Sequence, residues 1–180
     1  MFSYDTLNLF YTFLGYSSTP FLIAMLLVAW RNINCRYILL VLLSIELLES
    51  LAYETTYSWR NEYYLWGVFT GLLSIIPVLG RRLIALRLKK IPFFHTIANE
   101  YRFLKQEGAI IFCYALSTLI HAITYIEVSL YTNRIIENYI FQKHIFSPAI
   151  AIIHITCYVL IFGIAVKNRT IDNFKLDKAS

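Results

Sequence analysis

Long apolar runs separated by short polar connections make up most of this chain. Five of them, over residues 7–30, 37–57, 64–80, 109–131 and 145–166, come near the roughly 20 residues that a helix needs to cross a bilayer. A backbone in hydrocarbon has no water to bond to, so a spanning segment must satisfy its own N–H and C=O groups. The pattern therefore predicts an all-α, polytopic membrane protein: a bundle of five transmembrane helices. The first run is interrupted by Ser17, Ser18, Thr19 and Pro20, which leaves room for a kinked or partly re-entrant helix. It has no Lys or Arg ahead of it and outlasts the apolar region of a signal peptide, so it is read as a retained span.

Lys and Arg fall unevenly among the connections. The segment before the first run has none, the second connection has Arg60, and the fourth has Arg134 and Lys143. The first connection carries Arg31 and Arg36, and the tail carries Lys167, Arg169, Lys175 and Lys178. The third connection, residues 81–108, is richest, with Arg81, Arg82, Arg87, Lys89, Lys90, Arg102 and Lys105. Basic residues accumulate on the cytoplasmic side. The expected topology is N-terminus out and C-terminus in, as an odd number of spans requires, in a plasma or bacterial inner membrane.

The third connection divides at Pro92, which ends or bends a helix. Before it, Arg81, Arg82, Arg87, Lys89 and Lys90 are read as anchors to anionic lipid headgroups. After it, Phe94, Ile97, Tyr101 and Leu104 recur at helical spacing, which predicts a basic, amphipathic cytoplasmic connection. In the fourth connection, Ile135, Ile136, Tyr139 and Ile140 predict a short interfacial helix. Residues 1–166 thus form one bundle, and residues 167–180 a short cytoplasmic tail without fixed structure.

Composition narrows the function classes. The chain is 58% hydrophobic and 15% charged, against about 25% charged in soluble domains. The spans use most of its 180 residues, which leaves no room here for a kinase, ATPase or other soluble catalytic module. The net charge of +5 follows from the topology, so no nucleic-acid partner is expected. The expected partners are the bilayer with its anionic lipids, and further copies of the chain or a larger membrane complex. Cys35, Cys113 and Cys157 include no CxxC pair and read as small apolar fillers.

Against this background the informative residues are ionisable groups in mid-run. Glu46 and Glu49 interrupt the second run, His121 the fourth and His154 the fifth. A charged or ionisable group at bilayer depth is costly and marks a functional site by default. Helical rise puts Glu49, His121 and His154 roughly 12–15 Å below the outer boundary, with Glu46 about one turn deeper. At about 100° per residue, Glu46, Ser50 and Tyr53 share a stripe on the second run, with Glu49 at its edge. Tyr114, Ser117, His121 and Tyr125 share one on the fourth, and Ser147, His154 and Tyr158 one on the fifth. On the first run, Asn8, Thr12, Gly15, Tyr16 and Thr19 form a polar stripe. The third run differs: Gly67, Gly71 and Ser74 give it a small-residue face suited to close helix packing.

These stripes predict a shared polar interior of Glu46, Glu49, His121, His154, Tyr53, Tyr125 and Tyr158, serving as a proton relay or ligand site. Carboxylates and imidazoles in such an interior can exchange protons near neutrality. The reading is a non-enzymatic channel, transport, sensing or accessory subunit of a membrane assembly, with no cofactor or metal required. One alternative is a b-type haem redox subunit, with His121 and His154 as axial ligands. Another is a purely structural subunit, its polar residues satisfied in an interhelical hydrogen-bond network. Two His and a Glu are chemically adequate for zinc, but no helix-local metal motif accompanies them.

Overall fold

The computed structural model describes residues 4–99 and 103–177, without side-chain surroundings for 4–12, 14, 57 and 168–177. Tyr101, Arg102 and Lys178 lie outside the described residues, as do the side chains of Asn8 and Thr12. The described chain is helical, without strands. Its elements are α1 (Tyr4–Val28), α2 (Ile33–Tyr57), α3 (Glu62–Leu79), α4 (Arg81–Arg87), α5 (Pro92–Asn99), α6 (Lys105–Thr132) and α7 (Ser147–Asp177), the last led in by a π-helical turn, Gln142–Phe146. Three stretches are long and apolar enough to cross a membrane: Glu62–Leu79, Lys105–Thr132 and Gln142–Lys167. In α1 the apolar stretch is shorter, Gly15–Val28. In α2, Arg36, Glu46, Glu49 and Glu54 lower the hydropathy.

The five long helices close into a ring: α1 packs on α2, α2 on α3, α3 on α6, α6 on α7, and α7 back on α1. The α3–α6 seam is antiparallel and continuous. It runs from an Asn61–Thr132 side-chain bond of 2.9 Å, through Gly67 beside His121 and Gly71 beside Thr118, to an Arg81–Glu107 ion pair of 3.0 Å. Both glycines are there because nothing larger fits. A Cβ at Gly67 would overlap the His121 ring, and one at Gly71 would overlap the Thr118 hydroxyl. The small-residue face of α3 is thus occupied by α6 of the same chain.

Helix ends follow local chemistry. Asn32 caps α2 by accepting from the Cys35 N–H, a standard use of Asn. Gly80 separates α3 from α4. The Pro77 carbonyl, among the last of α3 and so without an intrahelical donor, accepts instead from the Tyr37 hydroxyl at 3.0 Å. Pro92 opens α5, where its missing N–H costs nothing. The carboxylate of Glu127 accepts from the first backbone N–H groups of the last helix, Phe141 at 2.9 Å and Gln142 at 2.7 Å.

Two expectations fail for identifiable reasons. No interfacial helix forms over residues 135–139. There α6 ends in a Schellman motif: Ile135 N–H bonds to Leu130, Arg134 N–H bonds to Tyr131, and Arg134 takes a φ of 58°. That left-handed residue turns the chain before the isoleucines can wind. The tail is not unstructured at 167, because no Gly or Pro follows Gly163 and α7 continues to Asp177.

Arg81 is the largest correction. It is fully buried, paired with the equally buried Glu107, with its Nη1 3.3 Å from the Asn34 carbonyl and its guanidinium 5.8 Å from the centre of the Tyr37 ring. It faces inward and does not meet lipid headgroups. Arg82, Arg87, Lys89 and Lys90 are exposed. The ion pair sits in an apolar core of Leu22, Leu26, Ile38, Leu39, Val78, Ile97, Ile110 and Ile164, which fills the end of the ring where α4 and α5 lie.

Candidate functional site

Above that core the ring encloses a cavity of about 240 Å³. It exists because each helix turns a polar or small-residue stripe inward. From α2 come Glu46, Glu49, Tyr53 and Thr56, from α6 Tyr114, Ser117 and His121, and from α7 His154, Cys157 and Tyr158. The small face of α3 contributes Gly67, Thr70, Gly71 and Ser74, and α1 contributes Ser18. Glu46, Glu49, His121, His154, Tyr53 and Tyr158, drawn from three helices, therefore border one space. Among the described residues, no Lys or Arg does.

Hydrogen bonds fix part of this lining. The Ser18 hydroxyl bonds to the Glu46 carboxyl and also reaches the Gly15 carbonyl at 2.9 Å. It carries one proton for two acceptors. Glu49 borders the same space as Glu46 and Thr70, and the Thr70 hydroxyl donates to the Gly67 carbonyl at 3.3 Å. His121 Nδ1 lies 2.8 Å from the Ser117 carbonyl. A carbonyl only accepts, so Nδ1 carries the proton, and Nε2 is the acceptor of the neutral ring. The ring is wedged between Gly67 and Phe146, whose ring stands edge-on at 5.1 Å. His154 is an electrostatic neighbour of His121. Tyr114 sits among Glu46, Glu49, Cys157 and Tyr158.

The cavity is open on one side. Among the described lining residues only Tyr53 and His154 are exposed, and they mark where it meets the exterior between α2 and α7. Nearby on α1, Phe13 is 69% and Tyr16 78% exposed. At the other end Leu22, Leu42, Ser74 and Ile161 form the floor, and the apolar core with the Arg81–Glu107 pair lies beneath. Trp66 is the wall between the cavity and an aromatic groove formed with Trp59, Leu65 and Phe69.

Several residues depart from the sequence reading. Tyr125, one turn beyond His121, does not line the cavity; Phe146 occupies that side of the imidazole. On α1 the stripe through Gly15 and Tyr16 faces out, and the inward face is Ser18, Leu22, Leu26 and Ala29. That spacing of buried positions was legible from the apolar residues, and it places Ser18 opposite Glu46. Tyr63, Trp66 and Phe146 were missed because each borders a loop and reads as an interfacial aromatic. Among the described residues, no group of three His, Cys, Asp or Glu side chains is arranged to hold a metal ion.

Comparison with models of known protein families, with curated proteins and with solved structures found no match for this chain, so its cavity must be interpreted from its own chemistry.

Proposed function

We propose that this chain is a five-span membrane protein, N-terminus outside and C-terminus inside, whose central cavity exchanges protons and cations in a transport role. One observation carries the reading: Glu46, Glu49, His121 and His154 border a single cavity that, among the described residues, no Lys or Arg lines. Ionisable groups facing a shared intramembrane space are the usual components of proton and ion pathways.

Ring closure supports counting α1 and α2 as spans. Each has 25 residues, or about 37 Å of helix against a hydrocarbon core of about 30 Å. The exposed basic residues Arg82, Arg87, Lys89 and Lys90 gather at the floor end, which the positive-inside rule assigns to the cytoplasm. The floor of the cavity then faces inward, and its open side lies between α2 and α7.

The test is proton flux into vesicles containing the purified protein and a trapped pH dye. A Glu46→Gln/Glu49→Gln double variant and His121→Ala each cut the flux at least tenfold. Glu54→Gln leaves it intact, because Glu54 is exposed and off the lining. A folded, monodisperse double variant with unchanged flux refutes the proposal. A b-type haem held by His121 and His154 is the competing use of the same residues. The packing of the His121 Nε2 edge on Gly67 and the two carboxyls weigh against it, and a Soret band in purified protein would favour it.

A further inference from the structure

The cavity combines two features that seldom share a small site. One is the carboxyl pair Glu46 and Glu49. The other is an aromatic wall of Tyr63, Trp66, Tyr114 and Phe146. Neighbouring rings brace several of these groups: Trp66 packs on Trp59 at 6.1 Å and on Phe69 at 5.5 Å, Tyr63 on Tyr64 at 5.6 Å, and Phe146 on Tyr64 at 5.2 Å. An aromatic enclosure beside anionic oxygens is the arrangement that recognises ammonium cations carrying alkyl groups, through the ring quadrupole. A hydrated metal ion gains little from such a wall, since its ligands are oxygen atoms in number. A neutral ligand gains little from the carboxyls. The volume of about 240 Å³ lies below the range of about 300–1,000 Å³ typical of drug-sized ligands, which restricts the occupant to a few carbon atoms around the charge.

We propose that the cavity is a binding site for a small organic ammonium cation, its charge held by Glu46 and Glu49 and its alkyl groups by the aromatic wall, with Trp66 the principal ring. This rests on the exchange reading above and names its substrate class. Protons and the cation compete for the same carboxyls, so entry of one cation releases one proton and charge is conserved.

Choline and its neutral isostere 3,3-dimethylbutan-1-ol are the probes. In calorimetric titration of the purified full-length protein, choline binds at least tenfold more tightly than the isostere, and excess K⁺ does not displace it. Trp66→Leu weakens choline binding at least tenfold, whereas Trp66→Phe, which keeps an aromatic face, retains most of it. In vesicles with a trapped pH dye, an imposed choline gradient drives protons the opposite way. Equal binding of choline and the isostere overturns the proposal, as does equal loss in Trp66→Leu and Trp66→Phe when both elute as folded protein. Absent choline binding alongside intact amine-free proton flux overturns the substrate class alone. Absence of both overturns the exchange reading with it.

Discussion

Replacing Gly67 by alanine tests the close approach of α3 and α6 that shapes the site. The added Cβ would overlap the His121 ring, which cannot retreat freely: its Nδ1 is bonded to the Ser117 carbonyl at 2.8 Å, and Phe146 stands at 5.1 Å on another side. Overpacking of this kind costs about 1–3 kcal/mol, and breaking the imidazole bond adds about 1 kcal/mol. Helix propensity acts the other way, favouring alanine over glycine by about 1 kcal/mol. The net expectation is a loss of about 1–3 kcal/mol, the difference of those terms. Gly163→Ala is the control, because nothing lies within 4 Å of a Cβ there; it should be neutral or gain up to about 1 kcal/mol. Reversible unfolding in mixed micelles measures both. In a His121→Ala background, Gly67→Ala should lose most of its cost, a coupling that a double-mutant cycle reads directly. Gly67→Ala as stable as Gly163→Ala, or equally costly with and without the His121 ring, would refute the packing argument.

Two further predictions concern charges outside the cavity. Arg81→Met or Glu107→Leu alone should cost about 3–5 kcal/mol by stranding a buried charge, while the double variant recovers most of it; unfolding titrations of the three variants decide, and additive single losses would contradict the pairing. Glu127→Ala removes the acceptor of the Phe141 and Gln142 N–H groups and should cost about 1 kcal/mol, visible as faster amide exchange over residues 141–146; unchanged exchange there would exclude the cap.

The depth of the ionisable groups was legible in the sequence because helical rise needs only a boundary and a count. Their convergence also required the ring to close, and the contact of α1 with α7 joins the two ends of the chain, which no local pattern specifies. Arg81 shows the same limit. It heads a run of basic residues just past an apolar helix, and nothing adjacent marks it as buried. Its partner Glu107 lies 26 positions away, on a helix that starts before its apolar segment does. On α2, α6 and α7 part of each polar stripe lines the cavity, Glu46 with Tyr53, Tyr114 with Ser117 and His121, and His154 with Tyr158, whereas Ser50, Tyr125 and Ser147 do not. On α1 the apolar positions were the better guide, since burying Leu22 and Leu26 sets the helix rotation and Ser18 follows.

The central claim is that Glu46, Glu49, His121 and His154 share one cavity within a single chain. Ring-nitrogen NMR of ¹⁵N-histidine-labelled protein in bilayers tests it most directly. Glu49→Gln should move the His121 and His154 signals together, and Glu54→Gln, which alters an exposed carboxyl outside the lining, should move neither. Histidine signals indifferent to Glu49, or displaced equally by Glu54, would contradict the account.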